Sequence, residues 1–165
     1  MKKGTMEVCD VSGIYRTIEI ANIISASSRL AENMLAAGVL ADNPESLVNA
    51  LRLKIGHERN EQFGIVWTNK QLRIIETEVM FTGTIDQCLV YPRNVLESAI
   101  RNNASSCFLF HNHPSGHSGP SEADKKITNT IKATLNMIGV ETLDHIIITA
   151  KRYYSFAQHN VIFNS

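Results

Sequence analysis

Cysteine is scarce in this 165-residue sequence: Cys9, Cys88 and Cys107 are odd in number, widely spaced, and include no CxxC pair. That argues against a disulfide framework or a thiolate metal cage and leaves each as a small buried or free thiol. Net charge is absent too, with 16 Lys and Arg against 16 Asp and Glu and no basic block anywhere along the chain. Nucleic-acid binding through phosphate neutralisation draws on clustered cations, so the charge gives that class of partner no support. No segment approaches the ~18 uninterrupted apolar residues of a membrane span. The opening MKKGTMEVCD is broken by Glu7 and Asp10 and is followed by no apolar stretch of the kind a secretory leader carries. The expectation is a cytoplasmic protein without membrane contact.

What is present is ordinary globular material, 44% apolar and 19% charged, in a length that fits one domain. Residues 1–13 show no periodicity and read as a loose leader. From Tyr15 to Ala37 the residues Ile18, Ala21, Ile24, Leu30, Met34 and Ala37 recur at helical intervals, with Gly38 as a stop. Pro44 opens a second helix carrying Leu47, Val48, Leu51 and Ile55, which makes residues 14–56 an N-terminal helical segment. The linker AGVLADNP holds a single glycine, too little for the amide-lined turn of a helix-hairpin-helix DNA binder.

Residues 57–165 alternate strand and helix. FGIVW and LRIIETEVM read as two strands around TNKQ, a helix starts at Pro92, and CFLF has the length of a buried strand. A helix with Ile127, Ile131, Leu135 and Ile138 follows a glycine-bearing loop, and LDHIIIT and YYSF close the chain as strands. The predicted class is α/β, a mixed sheet flanked by helices.

The informative stretch is HNHPSGHSGPSEAD, residues 111–124, where a buried strand empties into a loop. In extended backbone, His111 and His113 put both imidazoles on one face with Cα atoms about 7 Å apart, so one ion can meet both. Asp124, in the first turn of the next helix, can bring a carboxylate to the same point. Two nitrogens and one oxygen make a three-ligand set, the kind that leaves catalytic zinc an open position for water. Taken alone, Ser121 and Asp124 read as a capping box, and a cap does not exclude a second role for Ser121.

HNHPSG followed by PSEAD resembles the JAMM metal signature of JAB/MPN metallopeptidases, in the form typical of RadC-like proteins. GTIDQCLVYPRNVLESAIRNNA, LDHIIIT and YYSF add to the likeness, which covers roughly residues 58–157. The resemblance implies a fold of the JAB/MPN type, with a layout like that of cytidine deaminases, and a single Zn²⁺ on His111, His113 and Asp124. It further implies a hydrolase that cleaves an amide or isopeptide bond of a peptide substrate with metal-activated water. In that scheme Ser121 hydrogen-bonds the oxyanion, and a glutamate opening the first sheet strand is the general base. Glu61, just ahead of FGIVW, is the choice, with Glu58, Glu76, Glu78 and Glu97 as competitors. His117, His145, His57 and His159 stay off the ligand list: His117 as an exposed loop side chain, His145 as a sheet residue beside Asp144. The rival reading is a non-enzymatic accessory domain associated with DNA repair. A zinc deaminase is set aside because its HxE and PCxxC motifs are missing.

Overall fold

The computed structural model describes residues 4–83 and 90–161; Cys88 and the leader's first three residues lie outside that range. Among the described residues, seven strands and four helices follow in the order β1 (Thr5–Cys9), β2 (Tyr15–Glu19), α1 (Ile20–Met34), α2 (Pro44–Ile55), β3 (Glu61–Thr68), β4 (Ile74–Gly83), α3 (Pro92–Arg101), β5 (Ser106–Asn112), α4 (Glu122–Asn136), β6 (Glu141–Ile148) and β7 (Tyr153–Ser155). A five-stranded sheet in the order β4-β3-β5-β6-β7 is antiparallel except for the β5–β6 pair. The mixed α/β expectation for residues 57–165 agrees with this sheet.

Two readings of the N-terminus need correction. Residues 4–13 are not a structureless leader, and the helix does not begin at Tyr15: β1 and β2 form an antiparallel hairpin with Met6 opposite Ile18 and Val8 opposite Arg16. Asp10 Oδ1 accepts from the backbone N–H groups of Ser12 and Ile14, and this Asx turn closes the hairpin. Ile18 therefore belongs to a strand, and the helical periodicity read through it starts only at Ile20.

Strand alternation divides the interior into two layers. Val66, Phe110, Ile146 and Ile148 face Leu47, Val48, Leu51 and Ile55 of α2. On the opposite side Phe63, Ile65, Trp67, Cys107 and Leu109 face Val95 and Ala99 of α3 and Ile131 and Leu135 of α4. Helix α2 is thus part of the sheet's own core, whereas α1 buries only Ala31. Cys107 is wholly enclosed in the second layer, and burial pushes its thiol up to about 12. Cys9 is exposed.

The same alternation selects the face for chemistry. His111 follows Cys107 and Leu109 at even spacing, so it lies on the α3/α4 side of the sheet, under the helix that bears Asp124. Because β5 and β6 are parallel, α4 must cross over between them, which sets its first turn at the carboxyl end of β5.

Gly64 keeps the β3–β4 pair close. A Cβ there would collide with the Phe110 ring and the Glu78 carbonyl, beside the irregular register between Phe63 and Gly64. Gly64→Ala should lower stability by about 1–3 kcal/mol, the usual cost of overpacking. Urea unfolding checks this; an unchanged midpoint would show that the strands part without strain.

Candidate metal centre

Strand β5 ends at Asn112, yet the chain keeps sheet direction one residue further because His113 N–H donates to the Ile148 carbonyl at 2.8 Å. That bond holds His111 and His113 on one face. The chain then turns: Gly116 N–H donates to the His113 carbonyl at 3.0 Å, and Gly116 adopts φ 81°, where glycine meets no Cβ penalty. The turn returns the His117 carbonyl to His113 Nδ1, 2.7 Å away. A carbonyl only accepts, so Nδ1 carries the proton and His113 Nε2 presents a lone pair when the ring is neutral. The His117 side chain itself is exposed.

Asp124 arrives through the cap of α4. Ser121 Oγ accepts from Asp124 N–H at 3.1 Å, while Asp124 Oδ2 accepts from Ser121 N–H at 2.7 Å. Ser121 Oγ–H also donates to Oδ2, at 2.7 Å. The capping box therefore fixes one carboxylate oxygen and aims the other inward. Asp124 Oδ1 is buried and accepts no hydrogen bond from any of the described residues. It lies 3.3 Å from His111 Nε2, with Asp124 Oδ2 3.5 Å from His113 Nε2 and the two Nε2 atoms 2.9 Å apart.

These separations fit a shared cation. Ligand atoms about 2.0–2.1 Å from a tetrahedral ion stand ~3.3 Å from one another, close to what the three side chains already show. One atom from each lies within 4.8 Å of the others. An orphaned buried carboxylate oxygen is costly unless something positive meets it. Burial pushes the Asp124 carboxyl up, but the His111 and His113 rings and Ser121 outweigh it and hold it well below the carboxylate range. For His111, burial wins over the attraction of Asp124 and the net direction is down, toward the neutral, ligating form. His113, its side chain mostly buried, goes the other way: burial lowers it, and Asp124 with the His117 carbonyl raises it further.

Glu61 stands at the first position of β3. The pairing of Phe63 with His111 runs antiparallel, so extending it by two residues places Glu61 across from His113, on the face that both histidines share. Its charge raises both imidazoles. Among the competitors, Glu78 is bound to Ser98, Arg101 and Asn102. Glu97 pairs with Arg93 on an exposed face of α3, and Glu58 lies 3.7 Å from His57. His159 stacks on Tyr154, away from the cluster.

Three contributors escaped sequence reasoning. Asn112, between the two histidines, points to the opposite side of the sheet. There it accepts from Gln62 N–H at 2.7 Å and donates to the Glu58 and Asn60 carbonyls at 3.3 and 3.2 Å, which pins the start of β3 beside Glu61. His145, expected as a plain sheet residue, is fully buried with Nε2 2.8 Å from His111 Nδ1. Thr128 touches both His145 and the Asp124 main chain. Its spacing of four from Asp124, one helical turn, was the available signal.

The profile of the family described as RadC-like JAB domain matches residues 41–161. The match reaches back beyond the likeness read from motifs and takes in α2, consistent with that helix lying in the sheet's core. Similar chains include the UPF0758 protein of Pseudoalteromonas translucida, 33% identical over 91% of this chain and 67% of its own length. The UPF0758 protein of Chromobacterium violaceum is 40% identical over 81% of this chain and 59% of its own. That of Janthinobacterium sp. (strain Marseille) is 35% identical over 89% and 66%. This chain thus spans roughly three fifths to two thirds of the length of these relatives.

The geometry predicts one divalent cation per chain. His113→Ala and Asp124→Ala should each remove it, measured by elemental analysis after gel filtration. Full occupancy in both variants would place the ion elsewhere.

Proposed function

The chain belongs to the RadC-like JAB-domain family, and on that premise we propose that it is a zinc-dependent hydrolase cleaving an amide or isopeptide bond. The observation that carries the reading is the buried, unbonded Asp124 Oδ1 beside two imidazole Nε2 atoms, with Glu61 on the same sheet face. Zinc held by His111, His113 and Asp124 supplies Lewis acidity, which can bring the pKa of water from 15.7 down to about 7 and polarise a carbonyl.

The chain's own residues do the rest. The Glu61 carboxylate takes the proton from the attacking water and returns it to the departing amine nitrogen, general acid–base work worth about 10²–10⁴-fold. Glu61 suits the task because Asn112 fixes the backbone beneath it while its side chain stays half-exposed and reachable. Ser121 supplies a hydroxyl for the oxyanion. In the structure its single proton goes to Asp124 Oδ2, which also accepts from Ser121 N–H. Redirecting that proton to a substrate oxygen leaves Oδ2 still bonded, so the cap survives and the change is inexpensive. His111, wholly buried, keeps water from one side of the cluster, and the exposed turn 114–117 leaves the other side open to substrate.

Two variants separate the roles in the zinc-loaded protein, assayed on a fluorogenic library of peptides and lysine-isopeptides. Glu61→Gln should keep the metal and lose at least about 10²-fold in turnover. Ser121→Ala should lose about 10²–10³-fold in kcat. Turnover at the wild-type rate in Glu61→Gln, or in protein stripped of metal, would overturn the reading.

A further inference from the structure

Thr128 and His145 have no part in the chemistry above, yet both are buried polar side chains packed against it. His145 has nowhere to rotate. Phe156 stacks on its ring at 4.8 Å and Phe63 meets it edge-on at 5.7 Å. Phe156 N–H donates to the His145 carbonyl at 3.0 Å, and Asp144 secures that segment by accepting from Ser155 Oγ–H and Ala157 N–H.

The position of every proton in this group follows from its partners. The Asp124 main-chain carbonyl can only accept, so its 2.5 Å contact with Thr128 Oγ1 uses the hydroxyl's single proton. Toward His145 Nδ1, 2.6 Å away, Thr128 Oγ1 is then an acceptor, and Nδ1 carries the N–H. A second proton would put a charge on a ring with no exposed surface whose two partners, a hydroxyl and another imidazole, carry no countercharge. His145 Nε2 is therefore bare. Its neighbour at 2.8 Å, His111 Nδ1, must donate to it, which leaves His111 Nε2 bare as well, 2.9 Å from His113 Nε2 and 3.3 Å from Asp124 Oδ1.

An imidazole acceptor differs from the carbonyl that serves His113. Two hydrogen-bonded imidazoles can exchange tautomers together and keep their bond, so the His111–His145 pair alone leaves the outcome open. Thr128 breaks the symmetry. We propose that Thr128 and His145 form an uncharged hydrogen-bond relay, anchored on the Asp124 main-chain carbonyl, that holds His111 in the Nδ1–H tautomer and turns its Nε2 lone pair toward the cation. The inference rests on reading His111, His113 and Asp124 as the cation site. It also makes Asp124 act twice, through its carboxylate as a ligand and through its carbonyl as the relay's fixed end. Thr128 and His145 are positioning residues.

The test is nitrogen-15 NMR of the histidine rings in the metal-free full chain, paired with zinc affinity from chelator competition. In the wild type, His111 and His145 should both show protonated Nδ1 and bare Nε2; any other pattern overturns the relay, whatever the variants do. Thr128→Val should mix or reverse the two tautomers and weaken zinc by about 10–100-fold, as loss of a partner behind a metal ligand does, while Thr128→Ser should stay within about twofold of wild type on both readouts. A merely structural threonine would lower the melting temperature of Thr128→Val and leave the tautomers and affinity unchanged, and that result overturns the proposal. If the wild type shows the expected tautomers and takes up no zinc, the relay stands and the cation-site reading falls.

Discussion

A carboxylate oxygen buried without a hydrogen bond from any described residue, 3.3 Å from the His111 imidazole, is the arrangement around which the rest of the site is built. Leaving such an oxygen unpaired costs about 1–3 kcal/mol or more for a charged group, so the surrounding structure must hold it there against relaxation. It does so from three directions. The capping box grips the other oxygen of Asp124, the sheet holds His111 and His113 on one face, and the packing of α4 on that face brings the two together. A shared cation would relieve that cost.

Much of this was legible in the sequence because it is local. HxHPSG and PSxxD lie within fourteen residues, and strand alternation plus helix capping convert that spacing into convergence without reference to the rest of the chain. The five-stranded sheet was equally readable from alternating apolar runs broken by turn residues. Asn112, His145 and Thr128 were not. Asn112 contacts Gln62 across 50 residues and His145 contacts His111 across 34, pairings decided by strand register and not by any nearby pattern. The N-terminal hairpin was missed for another reason: its strands bury little, so no hydrophobic alternation marks them, and Ile18 fell by chance into the phase of the helix that follows.

Glu61 shows how the two kinds of information combine. Its place before FGIVW made it a candidate, but the pairing of β3 with β5 puts it opposite His113, and Asn112 together with the Glu61–Gly83 pair of the β3–β4 ladder holds that first residue of the strand in place. Sequence supplied the residue type; register supplied the neighbour. The same division applies to Ser121, whose capping geometry is local and whose place beside the histidines depends on the packing of α4 on the sheet.

The central claim is that these three side chains hold one ion and leave room for solvent. X-ray absorption at the zinc edge of the loaded protein, with a crystal structure of the same preparation phased at that edge, addresses it directly. The account predicts two imidazole Nε2 atoms and one Asp124 oxygen around the zinc, with an exchangeable oxygen completing the shell. A fourth protein ligand in that shell, or zinc bound away from His111, would contradict it.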